Sequence, residues 1–409
     1  LRTEAVRIAG AQWAEPAVRA GPGVRAARSD ILDAALIGYL PAPSEVARLA
    51  GIPATEELRE VVRAQLFPER RARLLARLAT PMGTSGFVCL PVFADELRPR
   101  GGSGLAADVA QAVGLAAGLG ARCVSLAGMI PAHTAYGFDV LHALGSPGPT
   151  RITTGHAATA ASVVKTAMAA MAGTGRDLSD STVACVGLGS VGRTSVELLL
   201  TLGVGSPKRL VLCDVASRSR QVAQLAADLG ARGHAVEVAL CGSDAPLAAQ
   251  AYGADLMIAA TSAEWHVLDV DRLRPGTIVV DDSFPHCFDA GAATRRMERV
   301  GDVLVVGGGL LACGPAEHTS ADGLAMLPQA ERLLSHRLPD TIASCQLESL
   351  LQAGRPELPL VHGLVDVPLA LAYWDALSVA GVEAAPLHLL QHVPTPEAIR
   401  AFSGRPASI

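Results

Sequence analysis

The chain has 409 residues, half of them hydrophobic, with 34 Lys and Arg against 39 Asp and Glu. Such a length suits two or three domains, and 50% hydrophobic with 18% charged residues excludes a disordered chain. A net charge of −5 with no basic block speaks against nucleic acid as the main partner. No run of about 18 apolar residues calls for a membrane helix. The opening Leu1-Arg2-Thr3-Glu4 lacks the basic-then-apolar layout of a secretion signal.

Residues 1–30, rich in Ala, Arg and Gly and broken at Gly21-Pro22-Gly23, read as an extension. The apolar run 31–39 is expected to be a buried strand. Ser44, after Pro41-Ala42-Pro43, is placed to cap a helix through Ala50. Residues 58–78 alternate Arg and Glu with apolar residues at helical spacing, broken at Pro68. Strands are expected at 88–93 and 123–126, around a helix at 104–119. Together these make an α/β substrate domain over 31–152.

A small-residue helix at 158–172 opens the next section, 153–315. There, apolar runs at 182–186, 209–213, 235–240, 255–260, 277–280 and 303–306 alternate with helical segments, as in a Rossmann-like, doubly wound parallel sheet. From 316 to 409 the chain reads as mainly helical. The fold class is therefore α/β, with a dinucleotide-binding domain between a substrate domain and a helical C-terminal region.

Gly187-Leu188-Gly189-Ser190-Val191-Gly192 follows the first strand of that sheet and opens a helix. In this context Gly187 permits a tight turn, Gly189 lets backbone approach a pyrophosphate, and Gly192 lets helix and strand pack closely. The amides around Ser190 and Val191, at the helix N-terminus, suit the phosphates. Asp214 ends the second strand, where an acid bonds the adenosine ribose and tips the choice towards NADH. Ser217, Arg218 and Arg220, just beyond it, are the residue types that take the 2′-phosphate of NADPH. Thr261, Ser262, Asp281, Asp282 and the glycines 307–309, with Gly308 at their centre, fall at the carboxyl ends of later strands, where the nicotinamide belongs.

Eight cysteines are scattered with no Cys-x-x-Cys pair, which argues against a zinc site or disulfide framework and for a reducing cytoplasm. Three merit attention as nucleophiles. Cys345 falls early in a helix expected to start at Leu338-Pro339-Asp340-Thr341, and a helix N-terminus favours thiolate. Cys313 follows the triple glycine, and Cys287 sits in Phe284-Pro285-His286-Cys287-Phe288. A cysteine in an amphipathic helix is ordinarily a packing residue, so the residues alone leave all three open.

Several short segments, in order along most of the chain, carry a resemblance. They are Leu36-Ile37-Gly38-Tyr39-Leu40, Leu66-Phe67-Pro68-Glu69, Thr153-Thr154-Gly155 with Thr159-Ala160, the stretch from Asp281 to Pro285, the turn ending at Cys313, and Cys345-Gln346-Leu347-Glu348. With these the chain resembles the bacterial long-chain acyl-[acyl-carrier-protein] reductases. The resemblance implies NAD(P)H-dependent reduction of a thioester, carried on an acyl-carrier protein or coenzyme A, to an aldehyde through an acyl-cysteine. It selects Cys345 as nucleophile and places Thr154 at the junction of cofactor and substrate. Thr154, Ser262 and the amides of the triple glycine are then candidate oxyanion donors, and Glu348, three residues past Cys345, a candidate for orienting a water or histidine. Three features depart from that family: its glycine loop is commonly Gly-Ala-Thr-Gly with an Arg after the second strand, where this chain has Gly187-Leu188-Gly189 and Asp214; His156, a candidate proton donor, stands where it has Asn; and the extension before Ile31 has no counterpart in it. The densest basic stretch, Arg59 to Arg77, is the expected docking face for a carrier. Two other readings remain: a non-covalent dehydrogenase of a ketone, imine or hydroxy acid, akin to shikimate or amino-acid dehydrogenases, and a nucleotide-sensing protein without turnover.

Overall fold

All seven residues of strand β1 (Ala34–Leu40) are buried, as in a strand covered on both faces. In the computed structural model, which describes residues 31–50, 53, 55–145, 148–203, 205–263, 265–321 and 338–403, this strand lies inside a six-stranded sheet. The extension expected over 1–30 lies outside the described residues. The sheet comprises β1, β2 (Arg73–Thr80), β3 (Gly83–Phe93), β4 (Cys123–Leu126), β5 (Arg151–Thr153) and β13 (Glu317–Ser320), in the order β13-β2-β3-β1-β4-β5. Strands β3, β1, β4 and β5 run parallel, while β2 and β13 are antiparallel to their neighbours.

The second sheet holds β6 (Thr182–Val186), β7 (Arg209–Val215), β8 (Val236–Cys241), β9 (Leu256–Ala259), β10 (Ile278–Asp281) and β11 (Leu304–Gly307). Its order is β11-β10-β9-β6-β7-β8 and every pair is parallel. This is the doubly wound Rossmann order, whose switch point between β6 and β9 opens a crevice beyond the strands' carboxyl ends. A third, small sheet joins β12 (Leu310–Ala312), β14 (Thr341–Ala343) and β15 (Glu383–Ala384). Described residues from Ile31 onward form one compact unit.

Three expected elements change. The helical spacing over 58–78 yields a helix, α1 (Glu56–Leu66), only as far as Pro68; beyond it Arg73–Thr80 pairs with β3 as β2, because long-range ladder bonds outweigh a local period. The helix of 104–119 begins earlier and forms α2 (Leu97–Gly118), with a non-helical Gly101 inside it. The helix start expected at 338–341 is a strand, β14, and the helix begins at Ser344. The region beyond 316 is also not a helical appendage, since β13 completes the first sheet and β14 and β15 the third.

Four helices position the site: α3 (His156–Gly173), α4 (Ser190–Thr201), α5 (Ser344–Gly354) and α6 (Val367–Val379). Small residues on α3, including Ala157, Ala160, Ala161 and Ala167, are fully buried and let α4, α5 and α6 pack directly against it. Helix α5 also packs on β1, β3 and β4, and its buried polar side chains are paired there. Gln346 Nε2 donates to Ser85 Oγ at 3.0 Å, and Ser125 Oγ donates to Ser349 Oγ at 3.3 Å. These bonds fix the register of α5 on the sheet. No helix among the described residues is long and apolar enough to cross a membrane.

Candidate functional site

Gly187 holds φ at +83°, and a Cβ there would meet Ala260 O at 2.6 Å; a Cβ on Gly192 would meet Gly187 O at 1.9 Å. Only glycine closes this turn, and closing it brings the N-terminus of α4 to the carboxyl edge of the second sheet. Gly187, Gly189, Ser190 and Val191 line a cavity of about 440 Å3. Gly192 is not in its wall, in keeping with a packing role. The turn thus fits a dinucleotide's phosphates.

Asp214 lines the rim beside the turn. Its carboxylate accepts from Leu188 N at 3.0 Å and Val215 N at 2.8 Å. Arg218 Nη2 donates to Leu188 O at 3.2 Å, and Arg218 Nε lies 3.7 Å from Asp214 Oδ2. An acid and a guanidinium therefore share the place where a ribose and its substituent would lie. Thr261 and Ser262 follow β9 and also line the cavity. Gly307 and Gly309 line it too, but Gly308 does not: its N–H donates to Asp281 O at 2.8 Å and its carbonyl accepts from Ser162 Oγ at 2.7 Å. Gly307 N donates to His388 O at 2.6 Å. The expected oxyanion role for the amides of Gly307 and Gly308 is therefore corrected, because both donors are already engaged.

The cavity continues from the nucleotide end to the first sheet, where Leu36, Gly38, Phe87, Leu126 and Met129 give it an apolar wall. Cys345 stands in this cavity on the first turn of α5, and it alone among the eight cysteines lines it. The antiparallel pairing of β12 with β14 places it there, because Leu310 faces Ala343 and Ser344 N then donates to Gly309 O at 2.9 Å. A Cβ on Gly155 would lie 2.5 Å from Cys345 Cβ, so the Thr-Thr-Gly segment passes directly over the cysteine. Cys345 keeps a partly open face towards the cavity, yet it lies deep enough that burial pushes its thiol up to about 12. Asp282 and then Glu348 add to the rise. The two other cysteines are placed elsewhere: Cys313 packs against Asp340 O at 3.6 Å, and Cys287, fully buried, directs its thiol to Asp281 Oδ1 at 3.5 Å.

Glu348 is fully buried and does not reach the cavity wall. Its carboxylate accepts from Thr153 Oγ1 at 2.5 Å, Gly155 N at 2.9 Å and Ala158 N at 2.8 Å. It therefore caps α3 from the side and ties the Thr-Thr-Gly segment to the cysteine helix, a positioning role in place of the expected work on a water or histidine. Thr154 and His156 do line the cavity, and Thr154 Oγ1 and His156 Nδ1 are buried with no hydrogen-bond partner among the described residues. Burial lowers His156 to about 4, so its ring is a neutral group at pH 7.

Three more polar groups stand in the cavity, Asp281 and Asp282 at the end expected to hold the nicotinamide and Tyr39 opposite. Tyr39, at the end of β1, accepts from Met129 N at 2.9 Å and has no acceptor for its own hydroxyl hydrogen among the described residues. Asp281 Oδ2 pairs with His286 Nδ1 at 2.7 Å. Asp282 lines the cavity next to them. The signal for Asp281 and Asp282 was present: both sit at the carboxyl end of a parallel strand beside the switch point. Tyr39 had no comparable signal, because the first sheet's orientation over the second is not written in its strand. The basic stretch is corrected as a docking face. Arg59 and Arg63 pair with Asp95 and Glu96 and stack over Phe93, Arg70 pairs with Glu60, and Arg73 and Arg77 belong to β2.

No protein-family model and no curated protein matches the chain. Among solved structures it is similar to glutamate dehydrogenase from Thermus thermophilus, at 15% identity and a TM-score of 0.38 over 85% of this chain and 74% of that one. It is also similar to L-tryptophan dehydrogenase from Nostoc punctiforme, at 12% identity and 0.34 over 92% and 88%. A third is quinate dehydrogenase from Corynebacterium glutamicum, at 16% identity and 0.29 over 84% and 99%. Likeness at this level carries no argument about activity, which rests on the cavity itself. The fold defines an α/β chain with a Rossmann-type sheet, and the glycine turn at its switch point has the shape to take a dinucleotide's phosphates.

Proposed function

We propose that the chain is a nicotinamide-dinucleotide-dependent reductase that converts an acyl thioester, carried on coenzyme A or an acyl-carrier protein, to an aldehyde through an acyl-Cys345 intermediate. The observation that carries this reading is the placement of Cys345. A thiol on a helix N-terminus stands in one cavity with the glycine turn at one end and an apolar wall at the other. A reduced dinucleotide, when bound, supplies the hydride. The chain's own residues do the rest. Cys345 Sγ loses its proton and bonds to the thioester carbon, and the carrier leaves as its thiol. The hydroxyls of Tyr39 and Thr154, each with donor capacity unspent among the described residues, suit the carbonyl oxygen as charge develops on it. After reduction the carbon–sulfur bond breaks, Cys345 regains a proton and the aldehyde departs.

A second reading, a non-covalent dehydrogenase of a ketone, imine or hydroxy acid, draws on one observation: the Cys345 thiol, pushed up to about 12, is protonated at pH 7, while carboxylates and histidines suited to proton transfer surround the cavity. Intact-mass analysis of protein incubated with octanoyl-CoA, without dinucleotide, separates the two. An adduct mapping to Cys345 that disappears on adding NADH or NADPH, with octanal released, is the expected result. Full octanal-forming turnover by Cys345→Ala, with dinucleotide binding intact, would refute the covalent scheme.

A further inference from the structure

A thiol held protonated needs a base before it can attack a thioester, and the residues around Cys345 leave one group free for the task. Glu348 is taken up by three donors. Asp281 is engaged by His286 Nδ1, Ser283 N and Cys287. His156, lowered to about 4, is a weak base. Asp282 is the carboxylate that both lines the cavity and has no donor reaching it among the described residues. Gly309 brings it to the cysteine's helix. The Gly309 carbonyl accepts from Ser344 N at 2.9 Å, and a Cβ on Gly309 would lie 2.8 Å from Asp282 Oδ1. The end of β10 and the first turn of α5 thus converge on one residue that has no side chain to separate them.

We propose that Asp282 is the proton acceptor for Cys345. The inference rests on the thioester reading and deepens it. The thiol proton passes to an Asp282 oxygen as the Sγ–carbon bond forms. The bond from that carbon to the carrier's sulfur breaks, and the departing thiolate takes the proton back from Asp282, so that no net proton or electron is consumed. Burial, with the charge of Asp281 beside it, holds the Asp282 carboxyl well above the usual carboxylate range, which narrows the gap to the thiol it serves. The other ionisable groups whose charge bears on this pair are Asp281 beside Asp282, Tyr39 on β1 and, behind the cavity wall, Glu348 on α5.

The test measures Cys345 acylation by octanoyl-CoA, by intact mass without dinucleotide, in the wild type and in Asp282→Asn between pH 6 and 10, with iodoacetamide alkylation in parallel. A base contributes about 100-fold or more, so Asp282→Asn should acylate at least that much more slowly at pH 7.5. Its alkylation at pH 10 should match or exceed the wild type, because a negative charge that raises the thiol has gone. Were Asp282 only a source of field, both reactions would speed up in the variant, and that result overturns the proposal. The wild-type profile provides a check that requires no variant. Acylation must rise at a lower pH than the thiol's own ionisation, and a rate that climbs only with that ionisation overturns the proposal as well. Gly309→Ala, which crowds Asp282 Oδ1, should slow acylation in the same way. Wild-type protein that forms no adduct at Cys345 refutes the thioester reading itself, whereas an adduct forming equally fast in Asp282→Asn refutes only the role of Asp282.

Discussion

Glu348→Gln tests how the site is held together. Burial raises the Glu348 carboxyl from 4.5 to about 7 despite the donors arranged around it, a change equivalent to about 3 kcal/mol. The folded chain binds this proton more tightly than the unfolded chain does. Its contribution to stability is therefore complete below 4.5, falls as pH rises through about 7, and is absent above that. His156 acts in the opposite sense, because its lowered value of about 4 favours the folded state as pH rises. The wild-type pH curve alone mixes the two, and the difference between wild type and Glu348→Gln isolates the carboxyl. Urea unfolding at steps from pH 4 to pH 8 should show the variant gaining on the wild type by about 3 kcal/mol across that range. A difference constant within about 1 kcal/mol, or one moving the other way, would show that burial does not raise the Glu348 carboxyl in the folded chain and would refute this reasoning.

Two further substitutions address the nucleotide end. Gly192→Ala places a methyl 1.9 Å from Gly187 O; the turn cannot close around it, so NADH binding followed by fluorescence should be lost and the melting temperature lowered, and unaltered binding would contradict the geometry. Arg218→Ala removes the guanidinium that shares the rim with Asp214, and should weaken NADPH about tenfold or more while changing NADH little; an unchanged ratio of the two dissociation constants would place the 2′-position elsewhere.

The doubly wound sheet was legible because each element advertised itself locally. Thr182–Val186, the glycine turn and Ser190–Thr201 form a strand, a turn and a helix whose chemistry is contiguous in sequence. The first sheet was less so. Arg73–Thr80 has a helical period and becomes a strand because β3 and β13 lie on either side of it, information spread over more than two hundred residues. The cysteine shows the same division. That Cys345 lies early in a helix follows from its neighbours, but three things do not: that Gly155 passes over it, that Asp282 lies against Gly309 beside the start of its helix, and that Glu348 is bonded to the Thr-Thr-Gly segment. Each depends on β12 pairing with β14 and on α5 seating Gln346 and Ser349 on the first sheet. Spacing on one helix placed Glu348 beside the thiol, yet the bonds it makes are to the Thr-Thr-Gly segment and the first turn of α3. The likeness of a carboxylate three residues away to a catalytic partner is thus a statement about one helix, whereas the work of that carboxylate is decided by the segment packed against it. By the same reasoning the group that serves the thiol comes from another strand altogether, and a search for it along α5 would not have found it.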